Sequence, residues 1–568
     1  MFSNLLNPGV LKITLVVTLQ TTSVKKNTAL PSALLTGILL GLSFPTYPFI
    51  HLEPLAWVAF VPLLLSAKND LSFGSFYRRI YIAMFAFVMV SVWWISLSTV
   101  LGGVLTYFAQ SFFLTIPWSV FYLINKRVGW KPALFSFPFV WTAWEWIYLD
   151  MDISFGWLTL GNSQANLYWL IQYVDLFGTW AISFWIVLFN ILAVLAVERW
   201  QTGGRDNMAF AKQAALIVAL MLVPPLAYSA YIFAQPEPVQ KQLSVSIVQP
   251  NIDPFAKWET MTRRDILEKN IGMSDSVVQS SKPDMILWPE TAIPYFILLP
   301  NSSTYRDRLF TKVTEWNTPL LTGFSDAVIY ADSTERQAGA KYDEQIGQYY
   351  DTFNSAMLMC PADPEPDVYH KMELVPFAER VPYMEYIPFF SKATVKLAGI
   401  SSWGRGKNLK NMGFRSQAGD SVQVCGLICY ESIYPGFVAK FVRQGANFLT
   451  VITNDGWFSK SYGPYQHAAF SRLRCIETRR AMARCANTGI TFFIDRYGRT
   501  YGEIPWWEAR TTTAPVGLAT EHSFYVSHID IFPKMCTGMA SLLILVAVAF
   551  PLVRRSGQSW RAVSPEEG

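Results

Sequence analysis

The strongest constraint on this chain is a series of long apolar segments separated by short polar gaps between residues 29 and 233. A helix needs about 20 apolar residues to cross a bilayer, so repeated segments of this kind favour a polytopic membrane protein. Charged residues make up 15% of the 568 residues, well below the roughly 25% of soluble domains. The pattern predicts eight spans, near 29–46, 52–67, 80–98, 102–125, 132–149, 170–197, 213–233 and 536–553.

Basic residues occur in every other gap between these predicted spans. The gaps around 47–51, 99–101 and 150–169 contain neither Lys nor Arg. Because Lys and Arg in short loops stay on the cytoplasmic side, both termini are predicted to be cytoplasmic and residues 240–530 to lie outside. The residues that mark the cytoplasmic side are Lys25, Lys26, Lys68, Arg78, Arg79, Lys126, Arg127, Lys131, Arg199, Arg205, Lys212, Arg554 and Arg555.

The region between the seventh and eighth predicted spans has the turns, charges and short strands of an extramembrane α/β domain. The sequence therefore predicts a transmembrane domain over 1–238, an outer domain over 239–530, and a final helix with a cytoplasmic tail over 531–568. The apolar segment 9–20 is too short to span a bilayer, and it fits either an interfacial piece or a portion of an extra helix.

Charge and histidine placement argue against two classes of function. The net charge is +5, and no basic stripe with interleaved aromatics occurs, so nucleic acid is not an expected partner. The five histidines are not at metal-ligand spacing, so a zinc site is not expected either.

Three apolar, strand-like runs of the outer domain end in residues that can do chemistry. MILWPE ends in Glu290, VYHK ends in Lys371, and VQVCGLIC ends in Cys429. In α/β folds, ligands gather at the carboxyl ends of strands, so these side chains are predicted to meet at one edge of an α/β sandwich.

A carboxylate, an amine and a thiol form a self-consistent set for acyl transfer. A thiol has a pKa of about 8.5, so a buried Glu290 would act as its base. Lys371 and the backbone N–H after Cys429 would stabilise the oxyanion. Each residue alone is more often solvated or simply packed. A Cys425–Cys429 disulfide is excluded on a strand, because about 13 Å would separate the Cα atoms and a disulfide allows about 7 Å.

Five stretches resemble one membrane-embedded family within the nitrilase, or carbon–nitrogen hydrolase, superfamily, namely the apolipoprotein N-acyltransferases. They are VQPNIDPFAKW, WPETAIP, KMELVPFAERVP, CYESIYP and TNDGWF. The resemblance implies an α-β-β-α sandwich with a Glu–Lys–Cys triad. Two departures, Ala378 and Pro250 where the family often has glycine, change loop geometry and leave the triad intact.

The resemblance also assigns expected roles within this sequence. Cys429 matches the nucleophile, Glu290 the general base and Lys371 the triad lysine. The other matched positions are Glu379, a second carboxylate that supports the lysine; Tyr430 and Glu431, beside the nucleophile; and Trp258 and Trp457, on loops over the site.

The activity implied by the resemblance is transfer of a fatty acyl chain from a phospholipid, through a Cys429 thioester, to the α-amino group of a diacylglyceryl-cysteine apolipoprotein. It implies a multi-pass protein of the bacterial inner membrane, with its catalytic domain in the periplasm. No cofactor or metal is needed, and a monomer is expected. Two alternatives stay open: a membrane-tethered amidase with the same triad, and a transporter or scaffold that only binds lipoprotein.

One polar-gap segment has two interpretations. The outer-side gap Asp152–Gln164 mixes aromatics, glycines and amides. It fits either an interfacial loop in an aromatic belt or a wall of a lipid-facing site.

Overall fold

The computed structural model describes residues 29–68, 72–236, 241–337, 339–361, 363–384, 386 and 403–561, with side chains to Phe550. The segment 9–20 and the basic pair Lys25 and Lys26 lie outside the described residues.

The apolar segments between residues 29 and 234 form helices. Helices α1 to α9 span Ala29–Leu42, Val61–Ala67, Phe73–Val92, Val100–Phe113, Ile116–Arg127, Trp130–Leu149, Val174–Phe177, Thr179–Thr202 and Asn207–Ala234. Polar side chains begin three of them: Ser72, Thr99 and Asp206 each accept a hydrogen bond from a first-turn backbone N–H of the helix that follows. Such caps satisfy N–H groups that a helix leaves without partners.

The predicted spans each coincide with a helical segment of the described chain. Five of these segments are long and apolar enough to cross a membrane: Phe73–Leu97, Val100–Arg127, Thr179–Thr202, Asn207–Ala234 and Ile531–Phe550. The segments Ala29–Leu42 and Glu53–Ala67 are shorter. The helix Trp130–Leu149 is 20 residues long and contains a proline, Pro138.

One predicted span begins later than the hydropathy pattern indicated. The apolar stretch 170–197 is divided, because Gly178 has a φ of +70° and separates the short α7 from α8. Positive φ is the conformation that glycine adopts without strain. The spanning helix therefore starts at Thr179, and Leu170, Ile171 and Val174 before it are buried.

The outer domain consists of two β-sheets between helices. Strands β1 to β14 span Gln242–Gln249, Met285–Leu287, Ile293–Phe296, Leu320–Tyr330, Lys341–Asp343, Gln348–Cys360, Asp363–His370, Met412–Arg415, Ser421–Ile428, Phe448–Thr453, Met482–Ala486, Thr491–Ile494, Thr500–Ile504 and Arg510–Gly517. Helices α10 to α16 span Pro254–Glu259, Arg263–Ser281, Ser303–Trp316, Pro435–Arg443, Gly463–Thr478, Phe524–Ser527 and Ile531–Arg561.

The predicted α-β-β-α sandwich is confirmed. One sheet has the order β14-β1-β2-β4-β6-β5, with β3 on β4 and β7 on β6, and the other has the order β13-β12-β11-β10-β9-β8. The sheets approach closely at Gly426 of β9, where an added Cβ would lie 3.1 Å from the Cβ of Ala356 on β6. Helices α11 and α12 pack on the first sheet through Leu267 and Leu309.

The parallel strands of the two sheets set the position of the candidate site. Strand β2 is parallel to β1 and β4, and β9 is parallel to β10. Parallel neighbours end at the same edge of a sheet, so the residues after β2 and β9 lie at one end of the sandwich.

Candidate active site

Glu290 lies in a tight turn directly after β2. The turn Pro289–Thr291 rests on Gly323 of β4, where an added Cβ would be 2.7 Å from the Glu290 Cα. Only glycine permits this approach. Glu290 is 7% exposed, and burial raises the pKa of its carboxyl group, as expected for a charge moved out of water.

Lys371 follows β7 and joins two carboxylates. Its Nζ donates a 2.8 Å hydrogen bond to Glu379 Oε1 and lies 3.7 Å from Glu290 Oε1. Asn354 of β6 links the same two carboxylates, because its Nδ2 donates to Glu290 Oε1 at 2.8 Å and to Glu379 Oε1 at 3.2 Å. Burial opposes the lysine charge, but Glu379 and Glu290 hold the pKa of Lys371 above its ordinary value.

Cys429 is the first residue after β9 and is half-buried. Its φ is +51°, which is uncommon for a residue other than glycine and marks a constrained backbone. Burial and the Glu290 carboxylate raise the pKa of the Cys429 thiol, and Lys371 opposes them. The resting group is therefore a thiol that needs a base. All six cysteines, each of which is described, are free thiols.

Glu431 connects the turn that begins at Cys429 to the segment after Lys371. Its Oε1 accepts hydrogen bonds from the Tyr369 hydroxyl at 2.6 Å and from the Met372 N–H at 2.7 Å. Its Oε2 accepts one from the Ile428 N–H at 2.8 Å. Burial raises the pKa of Glu431 to about 7. These bonds fix the ends of β7 and β9 relative to each other.

Tyr430 points toward the membrane domain. Its hydroxyl donates to the Ser154 carbonyl at 3.3 Å, and its ring stacks on Phe155. In the same segment, Trp157 Nε1 donates to Gln466 Oε1 of α14 at 2.7 Å. The segment Asp152–Gln164 thus packs against the turn that contains Cys429 and Tyr430, and most of its residues are buried.

The two candidate tryptophans lie on different elements. Trp258 belongs to α10 and is 46% exposed, whereas Trp457 is half-buried and meets the Phe255 ring edge-on at 5.4 Å. Among the described residues, neither indole donates a hydrogen bond to the Glu290–Lys371 cluster. Their positions fit a rim of the site.

Sequence reasoning missed three polar residues around this site. Asn354 bridges the carboxylates, Lys257 Nζ donates to the Thr291 carbonyl at 3.1 Å, and His467 contacts the Cys429 carbonyl. Burial lowers the pKa of Lys257 to about 8. The dipeptide KW at Lys257 and Trp258 was the only sequence signal, and it drew attention to the tryptophan.

Comparison with known proteins identifies relatives over nearly the whole chain. The family model "Apolipoprotein N-acyltransferase N-terminal domain" matches residues 36–192, and "Carbon-nitrogen hydrolase" matches residues 244–524. A protein from Chlorobaculum tepidum named apolipoprotein N-acyltransferase is 46% identical over 90% of this chain and 95% of its own length. A protein of the same name from Geobacter metallireducens is 29% identical over 91% of this chain and 94% of its own.

A solved amidase of the nitrilase superfamily, from Nesterenkonia AN1, is also similar. It has 14% sequence identity and a TM-score of 0.35, and the match covers 51% of this chain and 95% of the amidase.

Proposed function

The chain belongs to the apolipoprotein N-acyltransferase family, and from this premise we propose which residues carry the reaction and what they act on. It is a multi-pass bacterial membrane protein and an acyltransferase. The proposed donor is a phospholipid, and the proposed acceptor is the α-amino group of a diacylglyceryl-cysteine apolipoprotein.

The observation that carries the proposal is the buried cluster of Glu290, Lys371 and Glu379 at the strand end beside Cys429. Lys371 is 1% exposed and its Nζ lies within 3.7 Å of both carboxylates. Because the pKa of the Cys429 thiol is raised, the thiol needs an adjacent base, and a buried carboxylate beside it can act as that base in nucleophilic acyl transfer.

In the first half-reaction, the Cys429 thiol attacks the ester carbonyl of the phospholipid. Glu290 accepts the thiol proton as the new C–S bond forms. Lys371 and the backbone N–H of Tyr430 stabilise the oxyanion. The ester C–O bond then breaks, and Glu290 returns the proton to the departing lysophospholipid oxygen, which leaves a thioester on Cys429.

In the second half-reaction, the acceptor amine attacks the thioester carbonyl. Glu290 takes a proton from the attacking nitrogen and passes it to the Cys429 sulfur as the C–S bond breaks, which restores the thiol and the carboxylate. Glu379 keeps Lys371 charged and in place throughout both steps. Water would hydrolyse the thioester. The Tyr430 side chain packs against Ser154 and Phe155, and this packing keeps water away from one side of the site and so favours acyl transfer over hydrolysis.

The proposed arrangement in the cell follows from the substrates and the charge pattern. Both substrates are anchored in a membrane, so the site is proposed to face the outer surface of the inner membrane, in the periplasm. The domains proposed are a transmembrane domain over 1–238, a catalytic domain over 239–530, and a closing helix with its tail over 531–568.

The test is the intact mass of purified protein after incubation with phospholipid vesicles, for wild type and for Cys429→Ala. We expect one fatty acyl group on wild type, none on the variant, and discharge of the adduct by a diacylglyceryl-cysteine peptide to give an N-acylated product. Discharge by water alone, without a peptide product, would identify a hydrolase. Absence of an adduct on folded wild-type protein would contradict covalent catalysis and favour a binding protein.

A further inference from the structure

The Cys429 carbonyl oxygen, on the far side of the nucleophile's peptide bond, has two side-chain donors. The Ser432 hydroxyl donates to it at 2.8 Å, and His467 Nε2 lies 3.1 Å from it. His467 Nε2 also lies 3.0 Å from Ser432 Oγ, whose proton is already given to the carbonyl, so the ring N–H is shared between the carbonyl and the hydroxyl oxygen. His467 is 1% exposed and belongs to α14. A buried histidine next to a proposed nucleophile that does not touch the thiol requires an explanation.

The groups around His467 determine which ring nitrogen carries its proton. Arg484 Nη2 lies 3.1 Å from His467 Nδ1, and Asp455 Oδ1 lies 3.3 Å from the same nitrogen. A carbonyl oxygen can only accept, so Nε2, which faces the Cys429 carbonyl, is the donor. In a neutral ring Nδ1 then accepts from the Arg484 guanidinium, and the Asp455 carboxylate accepts from Arg484 as well. Burial and the Arg484 charge lower the pKa of His467, and a neutral ring then carries its one N–H on Nε2, facing the Cys429 carbonyl.

Arg484 and Asp455 are themselves fixed. Arg484 Nη2 lies 3.1 Å from Asp455 Oδ2, and both side chains are fully buried. The Ile490 N–H and the Thr453 hydroxyl also donate to the Asp455 carboxylate. His467 is therefore held in one orientation and one tautomer by a buried Arg484–Asp455 pair.

A trans peptide is planar, and its C=O and N–H point in opposite directions. The donors on the Cys429 carbonyl therefore determine where the N–H of Tyr430 points. Cys429 and Tyr430 open the turn Cys429–Ile433, where the first N–H groups of a helix lack partners within it.

We propose that His467, with Ser432, is a positioning residue that holds the Cys429–Tyr430 peptide so that the Tyr430 N–H donates to the oxyanion. The inference rests on the proposed function, in which Cys429 is acylated. Donation to the carbonyl also polarises the peptide and strengthens its N–H as a donor. The left-handed backbone at Cys429 is kept in place by the same bonds.

The test separates reactions that need an oxyanion from those that do not. Acylation of Cys429 by phospholipid passes through a tetrahedral oxyanion, whereas alkylation by iodoacetamide is a substitution at saturated carbon. His467→Leu is expected to slow acylation about 10- to 100-fold, below the roughly 100- to 1,000-fold loss for deleting an oxyanion donor outright. Its alkylation rate should stay within about threefold of wild type.

His467→Gln is the rescue variant, because a glutamine amide places an N–H donor at about the reach of Nε2. It should recover most of the acylation rate. His522, which is exposed, provides the matched control, and His522→Leu should behave as wild type. If His467→Leu does not fold, Ser432→Ala removes the other donor and should reduce acylation several-fold with alkylation unchanged.

The outcomes distinguish a failure of the proposed role of His467 from a failure of the proposed function. Equal losses of acylation and alkylation in His467→Leu, or no recovery in His467→Gln at unchanged Tm, would overturn the role of His467. The same holds if His467→Leu acylates at the wild-type rate. If wild-type protein forms no adduct, the proposed function itself fails.

Discussion

Two of the buried charge clusters in the described part of the molecule are built differently. At the junction with the membrane domain, Arg474 Nη2 donates to Glu477 Oε1 at 2.9 Å, and the Thr179 N–H donates to the same oxygen at 2.7 Å. At the candidate site, Lys371 is shared by Glu290 and Glu379. The junction matches one cation with each carboxylate, whereas the site has two carboxylates around one triad lysine.

The difference suits a structural role for the buried charges at the junction and the proposed chemical role for those at the candidate site. Glu477 lies beside the first turn of α8, where a carboxylate complements the helix dipole and satisfies an N–H. Nearby, Arg479 donates to Asp175 through two nitrogens. Planar, two-point contacts of arginine fix geometry. At the candidate site, burial raises the pKa of the Glu290 carboxyl above its ordinary value.

The largest effect is expected from removing the proposed base. Glu290→Gln keeps the shape of the side chain and its bond from Asn354 but cannot accept a proton. Acylation of Cys429, followed by intact mass over time, should slow by about 100- to 10,000-fold, the usual contribution of a general base. Thermal unfolding in detergent should change little. If the acylation rate of the variant were within tenfold of the wild-type rate, Glu290 would not be the general base.

The junction should respond in the opposite way. Glu477→Ala leaves the fully buried Arg474 without its carboxylate, and breaking a buried pair in this way costs about 3–5 kcal/mol. We expect a clear drop in Tm, while the acylation rate per folded molecule falls less than tenfold. An unchanged Tm, or a loss of rate that matches Glu290→Gln, would erase the distinction between the two clusters.

The pH dependence of acylation should reveal the coupling within the site. Glu290 must be ionised to act as a base, and its pKa is raised by burial and by Glu379, so the rate should fall on the acid side at a higher pH than an ordinary glutamate would give. Glu379→Gln removes a negative neighbour and should shift this acid limb to lower pH, even though it also lowers the maximal rate. A limb that stays in place or moves to higher pH would contradict the coupling.

The sequence predicted the features of this arrangement that follow simple patterns. Glu290, Lys371 and Cys429 each come after a strand, so strand ends located them. Glu379 came only from the resemblance, because it lies in a loop. Asn354 could not be found, since it sits in the middle of β6 and its role depends on two carboxylates far away in sequence.

In the membrane domain, too, features that depend on contacts between distant residues could not be predicted from the sequence. Hydropathy located the helical segments, but it extended one span to residue 170, because a run of apolar residues buried against another domain looks the same as one in lipid. The bonds from Tyr430 to Ser154 and from Trp157 to Gln466 join residues far apart in the sequence. Such contacts depend on how two domains pack, which no local pattern records.

The smallest expected effect concerns Lys257. It compares a buried lysine near the candidate site with a buried arginine at the junction. Burial lowers the pKa of Lys257 to about 8, and an unfolded lysine has a pKa of about 10.4. Between these values the unfolded chain binds more protons, so the stability of the folded protein rises with pH. The Tm of wild type relative to Lys257→Met should therefore increase from about pH 8 to about pH 10. The same measurement on Arg474→Met gives the comparison from the junction. If the Tm difference between wild type and Lys257→Met stayed constant or fell with pH, the Lys257 ammonium would not be desolvated. The cation beside Thr291 would then not differ in this respect from the cations of the junction.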